Sequence, residues 1–224
     1  MELASRAGLT LRLLGRVGVL VHCPASLAMG GERPIENLDL AVAPKQRRRL
    51  AELLRSDAYA ADKKFNSRYI GSRMLFYGPL GQLHIIVGAF EMNHAIELRD
   101  RLHLDTPTLP VTDLLLAKLQ ILRLETPDAA DALLLLREHE VAREEGDVIN
   151  IGYIETLVRA DWGLWRTISG NFDRLIALTS DVDAIDRIQC IRSALDNIPK
   201  STRFKLRARL GEYLPWYILR DEWR

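Results

Sequence analysis

The sequence predicts an α+β fold, with a mixed domain over residues 1–108 carrying a small mixed sheet and a helical domain over residues 109–224. Three observations predict it. Up to about residue 90, short apolar or alternating runs are separated by Gly and Pro, the pattern of strands and tight turns. Beyond Glu91 the apolar residues recur at helical spacing, most clearly in the stripe Val182, Ile185, Ile188, Ile191, Leu195 and Ile198. The length of 224 residues suits one large domain or two small ones.

Taken in order, Leu9 to Leu14 alternates around Thr10 and Arg12 as a half-buried strand does, and Gly15 ends it. A short helix is expected from about Arg16 to Cys23, stopped by Pro24. The Gly-rich residues 25–34 read as a loop that includes the Gly30–Gly31 turn. Leu38 to Ala43 reads as a strand, and Pro44 suits the first turn of a helix carrying Leu50, Leu53 and Leu54. Residues 68–77 and 83–90 read as a hairpin turning at Gly78–Gly81. Pro110 leads an apolar helix extending to about Leu124. Thr126 is expected as the N-cap of the next helix with Pro127 at its first position, and only helices are expected from Ile149 onward. Hinges are placed at 106–110 or 144–147.

Composition narrows the function classes. A formal charge of +1 gives no global attraction to nucleic acid, so any basic surface is local. Cys23 and Cys190 are the only cysteines and lack metal-ligand or disulfide-framework spacing. The expectation is a cytoplasmic protein with no signal peptide, membrane span or membrane partner.

The stretch Arg33 to Val42, R-P-I-E-N-L-D-L-A-V, is the piece around which the candidate chemistry is read. Side chains two apart on a strand share a face, so Asn37 and Asp39 stand together, opposite Glu36, Leu38 and Leu40. Such a pair is either an ordinary strand end or the metal-holding edge of a phosphoryl-transfer site. His84 is a single polar residue in the apolar strand L-H-I-I. Lys118 emerges from the stripe of Leu114, Leu115, Ile121 and Leu122, where a snorkelling side chain packs its stem and carries its tip to water. Asp128 and Asp131 follow Pro127, where a helix dipole favours acids. His22, His94, His103 and His139 have no ligand spacing and are expected at the surface or in caps. The run Lys45 to Arg49 reads as a solvated helix face. Around Arg203 to Leu210, Phe204, Leu206 and Leu210 are expected to pack while the basic residues stay in water, with RNA grip as the alternative.

The strand ending at Leu14–Gly15, the strand with Asn37-x-Asp39 and the later strand with His84 follow one another in an order that resembles the nucleotidyltransferase superfamily. Within it the chain is similar to the bacterial branch containing abortive-infection-type toxins. The resemblance spans roughly residues 9–141. It implies a phosphate-holding turn at Gly15 and Arg16, with Arg33 leading into the carboxylate strand and Lys118 aimed at nucleotide phosphates. It also implies metal ligation at the positions of Asn37, Asp39 and His84. The departures are as informative. Arg16 stands where the family has Gly or Ser, and Asn37 and His84 stand where it has carboxylates, leaving Asp39 as the metal-binding acid. Two-metal transfer needs several anionic oxygens, because Mg²⁺ takes hard oxygen ligands and must offset the triphosphate charge. The resemblance therefore implies a degenerate nucleotidyltransferase that binds a nucleoside triphosphate or a protein partner in an interdomain cleft. Any Mg²⁺ or Mn²⁺ is weakly held, and RNA is not expected as a partner. The alternative is an active, divergent enzyme transferring NMP to an RNA, protein or small-molecule acceptor.

Overall fold

The computed structural model describes residues 1–25 and 34–218. The fold is α+β, and it divides into two units. One holds residues 1–91 and 95–110; the other holds 92–94 and everything from Val111.

In the first unit, α1 (Glu2–Arg6) precedes strand β1 (Leu11–Leu14) and helix α2 (Gly15–His22). Strand β2 (Asn37–Val42), a 3-10 turn at Pro44–Gln46 and α3 (Arg47–Ser56) follow. Then come β3 (Ala60–Ala61), α4 (Lys63–Arg68) and the hairpin β4 (Arg73–Gly78) with β5 (Gly81–Val87). These five strands form one sheet in the order β1-β2-β5-β4-β3, in which only β2 and β5 run parallel. A small ribbon of β6 (Ala89–Glu91) and β7 (Ala95–Glu97) completes the strands of this unit.

Strand alternation sorts the sheet into two faces. Leu11, Leu13, Leu40, Val42, Met74, Phe76, Leu83, Ile85 and Val87 point one way and pack with Leu50, Ala51 and Leu54 of α3. Burying each such aliphatic side chain is worth roughly 1.5–3 kcal/mol. That burial fixes the register, since a slip by one residue on β2 would drive Asn37 and Asp39 into this core.

The second unit contains α5 (Val111–Leu119), α6 (Thr126–Glu138), a two-residue parallel pair β8 (Val141–Ala142) and β9 (Ile149–Asn150), then α7 (Ile151–Val158). It continues with α8 (Trp162–Leu178), α9 (Val182–Asn197) and α10 (Thr202–Leu210). Local sequence starts the last four helices. The side chains of Asn150, Asp161, Asp181 and Ser201 each accept a hydrogen bond from the backbone N–H three residues on.

Several expectations are corrected here. The helix after Pro110 stops at Leu119 instead of running to Leu124, because the Asn171 amide donates to the carbonyls of Leu119 and Ile121, both at 2.8 Å. The Leu122 N–H meanwhile donates to Asn93 Oδ1 at 2.9 Å, a partner outside any helical ladder. The α6 N-cap is Glu125 rather than Thr126, which moves Pro127 one position inward. The region after Ile149 begins with a short strand rather than a helix. In α9 the buried stripe is Ala184, Ile188, Ile191 and Leu195, whereas Val182 is exposed. In α10 only Phe204 is buried; Leu206 and Leu210 face solvent.

Candidate functional site

The sheet face opposite α3 carries the polar residues. Leu14 of β1 lies across from Asp39, Asp39 across from His84, and His84 across from Leu75, so these four form one cross-strand row. Asn37, two residues before Asp39 and on the same face, lies across from Gln82. Asn37 and Asp39 thus share one surface of the first unit with His84, distant in sequence, because β2 and β5 pair in parallel register.

Gly15 brings α2 to this row. It follows Leu14 directly, adopts φ +61°, and starts the helix. A Cβ at Gly15 would overlap Asp39 Oδ2 and lie 2.9 Å from its Cγ, so only glycine allows the carboxylate to sit against this turn. The helix has no acidic residue in its first turn and no side-chain cap of its own. Asp39, from a neighbouring strand, places a carboxylate at the end where the helix dipole is positive.

His84 contributes no charge. Its Nδ1 lies 3.8 Å from Asp39 Oδ1, longer than a hydrogen bond. Burial, reinforced by the positive charge of Arg73, pushes the imidazole pKa down to about 4, so the ring is neutral at pH 7. Arg73 is the residue that sequence reasoning missed. It is only 4 % exposed, donates to the Glu91 carbonyl at 3.2 Å, and holds its guanidinium 5.4 Å from the Tyr69 ring centroid. The available signal was an arginine opening the otherwise apolar strand R-M-L-F-Y.

The donor set at the row is one carboxylate, one amide and one neutral imidazole. A set of those chemical types lacks the charge for a pair of Mg²⁺ ions. Arg16, beside Gly15, is half-buried. Arg33 and the Gly30–Gly31 turn lie outside the described residues.

Lys118 belongs to the second unit, on α5, and its ammonium donates to Asp128 at 2.6 Å and Asp131 at 3.0 Å. Burial alone would lower its pKa, but the charges of Asp131 and then Asp128 reverse that and raise it. The histidines expected at the surface or in caps divide, with His139 the C-cap residue of α6 and His94 inside. His94 and His139 are buried: His94 Nε2 meets the Thr167 hydroxyl at 2.9 Å, and His139 Nδ1 meets the Leu135 carbonyl at 3.0 Å. His22, half-buried, meets the Thr108 hydroxyl at 2.7 Å. Among the basic residues of α10, Arg207 donates to the carbonyls of Gly211 and Leu214 and stacks over Trp162.

No protein-family model matches the sequence, and comparison with curated proteins finds no match. No helix among the described residues is long and apolar enough to cross a membrane.

Proposed function

We propose that the first unit is a nucleotidyltransferase-like domain whose catalytic metal site has degenerated, and that it binds a nucleoside triphosphate without transferring its nucleotidyl group. The observation that carries the reading is the row Leu14–Asp39–His84 with Gly15 held against the Asp39 carboxylate. It sets the turn that would receive phosphates, the acid that would hold a cation and the third ligand position side by side, in the chain order of the resemblance. The degeneracy follows from charge. With Asn37 an amide and His84 neutral, Asp39 alone supplies negative charge among the three positions, and the loss of one preorganised electrostatic group costs about 10²–10³ in rate. A neutral His84 offers a cation a lone pair but no charge, so an ion there is held weakly. Lys118 is not needed for this reading, because its ammonium already has two carboxylate partners.

Calorimetric titration with ATP, GTP, CTP and UTP in Mn²⁺ tests it. At least one nucleotide should release or absorb heat, Asp39→Asn should abolish the signal, and no α-phosphate label should reach the protein, RNA or water. Heat with none of the four would leave a protein-binding scaffold instead. Label transfer by the parent would replace this reading with an active, divergent enzyme.

A further inference from the structure

The first unit has a concave surface on the α3 side of the sheet and therefore on the opposite face from Asp39 and His84. It is a groove of about 460 Å³ lined by Arg47, Arg48, Glu52 and Arg55 of α3 and Asn66 of α4, over Met74 and Phe76 of β4. Within the described residues, none of these three arginines makes a hydrogen bond or ion pair. The Arg47 Nε is buried with no partner among them. Arg49, outside the groove, is by contrast committed to the Ala7 carbonyl at 2.7 Å. Arg47 and Arg48 also occupy the first turn of α3, which has no acidic residue there and no side-chain cap. Cations at the positive end of a helix are the reverse of the favourable arrangement, and an anion between them would relieve it. Asn66 cannot turn toward a ligand, since its amide donates to the Leu75 carbonyl and accepts from the Leu75 N–H at 2.6 Å. It forms a fixed wall.

We propose that this groove binds a small phosphorylated metabolite that also carries hydroxyl groups, such as a sugar phosphate. The guanidinium forks of Arg47, Arg48 and Arg55 take the phosphate oxygens, and Glu52 accepts hydrogen bonds from the hydroxyls. Glu52 lies one helical turn from both Arg48 and Arg55 and repels a continuous phosphate backbone, which selects a compact ligand over a nucleic-acid strand. The volume matches pockets for small molecules.

The test is ³¹P resonance titration of the full chain with ribose 5-phosphate and, separately, inorganic phosphate. Both should shift and broaden, and each of Arg47→Gln, Arg48→Gln and Arg55→Gln should weaken binding about tenfold or more. Glu52→Gln should weaken ribose 5-phosphate and spare inorganic phosphate, while Asp39→Asn should change neither, which separates this groove from the nucleotide reading. The exposed Arg48 and Arg55 variants keep the test valid if Arg47→Gln fails to fold. No shift at millimolar probe, shifts that survive all three arginine changes, or a stronger, steeply salt-dependent grip on single-stranded RNA through the same arginines would overturn the proposal.

Discussion

At the residue scale, His84 ties the sheet face to the pH dependence of folding. In the unfolded chain its imidazole titrates near 6.5, whereas burial and Arg73 hold it near 4 in the folded state. Between those values the unfolded state binds more protons, so stability is full above pH 6.5 and falls as pH drops toward 4. The loss is on the order of 2 to 3 kcal/mol after allowing for partial solvent access. Burial lowers His94 as well, against the opposing charge of Asp161, so it too loses stability as pH falls. Urea unfolding between pH 7.5 and pH 4 should therefore show a shallower decline in His84→Gln than in the parent. An identical decline would remove the neutral, buried His84 from the account. Lys118 shifts the other way. Its contribution is fully present below the unfolded value of 10.5 and is lost only as pH rises through the still higher folded value, so neutral pH leaves it intact. Lys118→Met should cost about 3–5 kcal/mol by removing the ammonium that faces the fully buried Asp131 carboxylate. Adding Asp131→Leu should restore most of that, and chemical denaturation of both variants would show whether the ion cluster or lost packing is responsible.

At the element scale, the end of α5 is set by a side chain from α8. The Asn171 amide satisfies the Leu119 and Ile121 carbonyls, so the chain leaves the helix without abandoning buried acceptors. Asn171→Ala should cost about 2–4 kcal/mol, and Asn171→Asp more, because a carboxylate would aim negative charge at two carbonyl oxygens. Thermal melts of the two variants check this. Negligible losses in both would mean that the helix end does not depend on Asn171. The α7 to α10 starts behave differently: each is encoded by its own capping residue.

At the scale of the whole molecule, a net charge of +1 leaves no long-range field to gather a polyanion. The local basic cluster on α10 is reduced further by Arg207, whose guanidinium already serves two carbonyls. The protein should not retard tRNA at physiological salt in a gel-shift assay. A bound fraction that falls steeply with added salt and is lost when Arg203, Lys205 and Arg209 become Gln would reverse this, because phosphate contacts release counterions.

What the sequence determined by itself was whatever local spacing encodes. The strands read over 9–14 and 38–43 and found at 11–14 and 37–42, the hairpin turning at Gly78–Gly81, the switch to helices and the placing of Asn37 with Asp39 on one face follow from periods of two and 3.6 with Gly and Pro as stops. Tertiary structure decided what depends on partners far along the chain. Parallel pairing of β2 with β5 set His84 beside Asp39, a register that no local pattern specifies. Arg73 acquired its influence on His84 through the same sheet, and Lys118 exchanged solvent for two aspartates supplied by the next helix. Leu206, Leu210 and Val182 kept their helical spacing yet stayed in water, because periodicity names a candidate face and only the neighbouring elements determine whether anything covers it.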